Sequence, residues 1–100
     1  MTWKLFLDDL RAPPNGSWTV ARSVAAAEQH ILTYGLPLIM SLDHDLGGAE
    51  DAPALLHWLI DQHLDGNLDI KHIAVSVHSA NPVGVQNLLG LWSSFMRSQQ

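Results

Sequence analysis

Leu38-Ile39-Met40-Ser41-Leu42-Asp43-His44-Asp45 is the stretch whose reading decides the fold. A short strand-like run stops at two carboxylates flanking an imidazole, and Leu46-Gly47-Gly48 then forms a loop. A strand-like run stopped by a polar cluster occurs twice more. Trp3 to Leu7 is apolar apart from Lys4 and stops at Asp8-Asp9. Ile70 to Val77 places Ile73, Val75 and Val77 on one face and Ala74 and Ser76 on the other, and it ends at His78-Ser79. The run from Trp3 to Leu7 reads as a short strand buried on both faces.

Helical patterns separate these strands. Trp18 to Arg22 reads as a further short strand, after which Ser23 caps a helix to about Tyr34. Val24, Ala27, Ile31 and Tyr34 form its apolar stripe, and Gly35 ends it. Asp51 and Pro53 open a second helix that runs through Leu55, Leu56, Leu59 and Ile60 to about Leu64, where Asp65-Gly66-Asn67 breaks it. Asn81-Pro82 caps and starts the last helix, with a stripe of Val85, Leu88, Leu89, Trp92 and Phe95. Strands alternating with helices predict a parallel sheet with helices on its faces. The connection between the first two strands is the tight one. Residues 10–17 join them without a helical pattern, and parallel crossovers usually need about a dozen residues. An extended Pro13-Pro14 segment of that length spans about 25 Å, enough for parallel pairing, with an antiparallel edge strand as the alternative.

Composition narrows the function. The chain of 100 residues is 47% hydrophobic and 15% charged, which predicts one folded domain over residues 1–100 rather than disorder. Without cysteine it has no disulfide, zinc-thiolate or thiol chemistry. No apolar run reaches the roughly 18 residues of a membrane span, and no secretory pattern opens the sequence, so a cytoplasmic protein without a membrane partner is expected. Five Lys and Arg against ten Asp and Glu cannot build a wide basic footprint, which argues against binding long nucleic acids. Asp8, Asp9, Asp43 and Asp45 supply four of the ten acids.

In open parallel sheets, ligands bind beyond the carboxyl ends of the strands. If the three polar strand ends are neighbours, they converge on one crevice. Four carboxylates there need compensation, and a hard divalent cation supplies it. Mg²⁺ or Mn²⁺ suits Asp8, Asp9, Asp43 and Asp45, and nearby histidines favour Mn²⁺. Asp45 before Leu46-Gly47-Gly48 is either a ligand or an Asx-turn. Asn81 reads first as a helix cap, a role that coexists with a phosphate contact. Arg11, His44 and His78 read as site residues from their positions. His30, His57, His63 and His72 read as surface or packing residues, and the four tryptophans as core.

A strand ending in Asp8-Asp9, a strand ending in Asp43 and a strand ending in a hydroxyl residue, Ser79, resemble the receiver domain of two-component signalling. The resemblance implies that Asp8 and Asp9 are the acidic pair, Asp43 the acceptor and Ser79 the phosphoryl contact. The first helix and the fifth strand with its lysine are missing. Leu7-Asp8-Asp9-Leu10-Arg11-Ala12-Pro13, Ser41-Leu42-Asp43-His44-Asp45-Leu46-Gly47 and His78-Ser79-Ala80-Asn81-Pro82 are similar to the receiver-like family named for cyclic-phosphate processing. That likeness covers about Leu5 to Leu89. It implies a small α/β receiver-like (flavodoxin-like) three-layer fold: a mostly parallel four-stranded sheet with helices on both faces, reduced relative to a full receiver.

The expected function is a metal-dependent phosphodiesterase acting on a small cyclic phosphate, such as a 2′,3′-cyclic nucleotide, a cyclic RNA end or a cyclic nucleotide signal. Arg11 would fork onto phosphate oxygens, with Ser79 and Asn81 beside it at a helix N-terminus. His44 and His78 are the candidate acid and base. The alternatives are a phospho-accepting signalling module at Asp43 and a cyclic-nucleotide-binding protein without turnover. The fourth strand is a candidate sheet edge, and that edge or the last helix is a candidate homodimer surface.

Overall fold

The computed structural model describes residues 3–44, 51–78 and 81–99. Its elements are β1 (Lys4–Leu7), β2 (Thr19–Ala21), α1 (Val24–Tyr34), β3 (Ile39–Leu42), α2 (Ala52–Leu64), β4 (Ala74–Val77) and α3 (Pro82–Ser98). The four strands form one sheet in the order β2-β1-β3-β4, and every pairing is parallel. This is the expected reduced receiver-like α/β fold. The tight first connection also delivers a parallel β2, with Leu5 opposite Thr19 and Leu7 opposite Ala21.

Local chemistry sets the helix boundaries. Ser23 accepts the Ala26 N–H at 3.1 Å and starts α1. Gly35, at φ 84°, closes it by donating to the Ile31 carbonyl at 2.9 Å, a conformation that a side chain would oppose. Asn81 Oδ1 accepts the Gly84 N–H at 3.2 Å and starts α3, with Pro82 in its first turn. The last strand is shorter than its apolar run, because residues 71–72 form a turn before Ala74.

The layering departs from the expectation of helices on both faces. Buried residues of α1, α2 and α3 share one apolar cluster with Leu5, Leu7, Ala21, Met40 and Leu42. All three described helices therefore cover the same face. Connectivity explains this. From β2 to β3 and from β3 to β4 the chain steps in the same direction across the sheet, so right-handed crossovers put α1 and α2 on one side. Only the β1-to-β2 step runs the other way, and residues 8–18 contain no helix to cover the second face.

That second face carries Lys4, Phe6, Ile39, Ser41, Ala74 and Ser76, aligned across the strands. Phe6 is nonetheless buried, by an edge-on Trp18 ring at 6.0 Å and a stacked His78 ring at 4.4 Å. The Lys4 ammonium sits 4.6 Å from the centre of the Trp18 ring. Two stripe residues also lie further out than their periodicity suggests. Tyr34 and Leu89 are exposed, and the Tyr34 ring meets Trp3 edge-on at 6.1 Å.

A one-sided core predicts one-sided sensitivity. Leu42→Ala should lower the unfolding free energy by about 2–5 kcal/mol. Ala74→Ser, on the bare face, should change it by less than about 0.5 kcal/mol. Urea denaturation of the two variants checks this, and equal losses would contradict the layering.

Candidate functional site

The sheet register aligns the polar strand ends. Leu7, Leu42 and Val77 are paired across β1, β3 and β4. Backbone pairing then continues one residue further, with Asp43 N–H donating to the Leu7 carbonyl at 2.9 Å and His78 N–H to the Leu42 carbonyl at 3.0 Å. On the other side, Asp8 N–H donates to the Ala21 carbonyl at 3.1 Å. Asp8, Asp43 and His78 thus stand side by side at the carboxyl edge.

Asp8 is fully buried. Its Oδ1 accepts the backbone N–H groups of Leu10 and Arg11, each at 2.8 Å, and its Oδ2 lies 3.0 Å from His78 Nε2. Burial pushes its pKa up, but the hydrogen bonds from Arg11, Leu10 and His78 outweigh that, and the carboxyl ends below its ordinary range. Asp8 is an ionised acceptor held at both oxygens. Asp9 is half-buried and Asp43 is buried. One oxygen from each of Asp8, Asp9 and Asp43 lies within 4.8 Å of the others. Three converging carboxylates are a donor set suited to Mg²⁺ or Mn²⁺, both of which favour oxygen ligands.

Around this cluster the expected residues are placed as follows. Arg11 is exposed, and its Nη1 donates to the His78 carbonyl at 2.8 Å, which ties the β1–β2 connection to the end of β4. His78 has both ring nitrogens engaged, Nε2 with Asp8 and Nδ1 with Ser41 Oγ at 2.7 Å. His44 is half-exposed, and its carbonyl accepts the Ala52 N–H at 3.2 Å, joining β3 to α2. Its imidazole packs on the first turn of α3, where a Cβ on Gly84 would come within 2.6 Å of the ring carbon Cγ. Asn81 serves as the α3 cap. Asp45 and Ser79 lie outside the described residues.

Two residues at this edge were not singled out from the sequence. Arg22 follows β2 at the level of Asp8, and its Nη1 donates to the carbonyls of Asp8 at 3.1 Å and Arg11 at 2.6 Å. Ser41 is a buried hydroxyl inside an otherwise apolar strand. Its position two residues before Asp43, hence on the same side of the strand, is a signal that strand parity carries.

The model of the cyclic-phosphate processing receiver domain matches residues 3–94 of the chain, a span that contains every residue of this edge. The chain belongs to that family. Comparison with curated proteins and with solved structures gives no significant match. The cyclic-phosphate processing receiver domain thus carries its carboxylate cluster where a parallel sheet places ligands, beyond the carboxyl ends of the strands. No helix among the described residues is long and apolar enough to cross a membrane.

Two outcomes follow from these contacts. An Asp whose folded pKa is depressed adds stability above its ordinary value of 3.8, and that stability is lost as pH falls through the folded pKa. In chelator-treated protein, Asp8→Asn should therefore lose stability at about pH 6 and show a flatter decline towards about pH 3 than the parent. Urea denaturation across that range measures it, and parallel pH curves would contradict it. Gly84→Ala, which in an open helix would stabilise by about 0.5–1 kcal/mol, should instead destabilise and shift the His44 ring resonances, because the clash falls on the root of that side chain.

Proposed function

We propose that this receiver domain is a metal-dependent phosphodiesterase that opens small cyclic phosphates. The observation that carries the reading is the group of three carboxylates, Asp8, Asp9 and Asp43, within 4.8 Å at the ends of two adjacent strands. They would hold one Mg²⁺ or Mn²⁺. Such a cation supplies Lewis-acid polarisation of a phosphoryl oxygen and acidifies water.

The remaining roles belong to side chains at the same edge. A guanidinium has five donors; Arg11 uses one on the His78 carbonyl, and the others are what a phosphate would engage. Arg11 and the cation together offset the carboxylates, so an anionic ligand can approach a chain of net charge −5. His44, half-exposed beside the start of α3, is assigned the proton transfer to the leaving oxygen. His78 is assigned to holding Asp8, since both its ring nitrogens are engaged inside the protein. In the reaction, a water oxygen bonds to phosphorus and the water releases one proton, the ring P–O bond breaks, and the departing oxygen takes up one proton, so one water is added across the bond and an open phosphomonoester results. Cyclic nucleotides and cyclic RNA ends are the ligand class this chemistry takes.

³¹P NMR of the protein with Mn²⁺ or Mg²⁺ and a panel of cyclic phosphates tests the reading. Ring opening should require the metal and fall to background in Asp43→Ala, while His44→Ala should slow it by about 10²–10⁴-fold. Ring opening that survives chelation would overturn the metal dependence. No turnover, with acetyl phosphate giving a hydroxylamine-labile adduct, would replace the reading with phospho-acceptance at Asp43.

A further inference from the structure

Two positions before Asp43, β3 carries a hydroxyl, Ser41. Ser41 sits on the face of the sheet that no described helix covers, in register with Phe6 and Ser76. It is 8% exposed, and its Oγ is 2.7 Å from His78 Nδ1. Nε2 of the same ring is 3.0 Å from Asp8 Oδ2. Phe6 stacks on the ring at 4.4 Å, with the planes 7° apart. The imidazole is thus held at both nitrogens and against one face.

The direction of each hydrogen bond follows from the groups themselves. An ionised carboxylate only accepts, so His78 Nε2 carries the hydrogen that faces Asp8. In the neutral ring Nδ1 is then the acceptor, and the Ser41 hydroxyl is the donor it meets. A buried hydroxyl in a strand is costly unless it is hydrogen-bonded, and this bond offsets that cost.

We propose that Ser41 is a positioning residue of the carboxylate site: its hydroxyl donates to His78 Nδ1 and so fixes the ring that holds Asp8 against Asp9 and Asp43. The proposal rests on reading those carboxylates as a cation site. With Oδ1 held by two backbone N–H groups and Oδ2 by His78, Asp8 keeps one rotamer, and a cation meets it without first reordering the side chain. A serine–histidine–aspartate chain also suggests a nucleophile. However, Ser41 lies in a strand paired on both sides, whose amides are committed to the sheet and cannot stabilise an oxyanion.

The test compares Ser41→Ala, Ser41→Thr and a control, Ser76→Ala, by two readouts. Long-range ¹H–¹⁵N spectra of the chelator-treated protein report the His78 ring, and Mn²⁺ titration reports the site. The parent should show an Nε2–H ring with a hydrogen-bonded Nδ1. Ser41→Ala should move the Nδ1 resonance to that of an unbonded nitrogen and weaken Mn²⁺ binding by about 3- to 10-fold, less than loss of a direct outer-shell partner. Ser41→Thr should restore both, and Ser76→Ala should change neither. An Nδ1–H ring in the parent, or unchanged Mn²⁺ affinity in Ser41→Ala, overturns the proposal. Parent protein that binds no Mn²⁺ removes the cation reading instead, while the ring spectra still decide whether Ser41 fixes His78.

Discussion

Backbone pairing across β1, β3 and β4 continues one residue past the strands, and the chemistry of the carboxyl edge depends on it. Asp43 donates to Leu7 and His78 donates to Leu42, so three polar side chains inherit the spacing of a parallel sheet. Their alignment is therefore paid for by the apolar core, through Leu5, Leu7, Met40 and Leu42, rather than by attraction among the polar groups themselves. Like charges at this separation repel. Asp8 escapes by accepting three hydrogen bonds, two of them from the turn that immediately follows it. A slip of one residue in β3 would send Asp43 to the helix-covered face and break the constellation.

The face of the sheet that no described helix covers is the second constraint. The step from β1 to β2 is the one whose right-handed crossover belongs on that side, and a loop takes the place of a helix there. The face is instead furnished by a small mixed cluster of Lys4, Phe6, Trp18, Ser41 and His78. This cluster meets the carboxylate site at His78, whose ring rests on Phe6 and reaches Asp8. Packing on the bare face and charge at the edge are thereby joined through one side chain.

Much of this was legible in the sequence, for physical reasons. Helix caps are local, so Ser23, Gly35 and Asn81 announced their boundaries. Apolar runs stopped by Asp8-Asp9, Asp43 and His78 announced strand ends. Layering was not legible in the same way. Alternating strands and helices suggested helices on both faces, whereas Trp18 and His78 cover Phe6 on the second face of β1, and contacts between distant residues leave no periodic trace. Tyr34 and Leu89 matched their stripes but lie exposed, because periodicity does not show where the covered surface ends. Ser41 and Arg22 were missed although strand parity placed both beside Asp8 and Asp43. Polar residues inside or just after short strands were the signal.

The proposed chemistry requires one cation held by Asp8, Asp9 and Asp43. Anomalous scattering from crystals grown with Mn²⁺ tests this most directly. The predicted result is a single strong manganese peak in direct contact with carboxylate oxygens of all three residues, absent in crystals of Asp43→Ala. A well-ordered carboxyl edge with no manganese, or manganese held elsewhere on the chain, would contradict it.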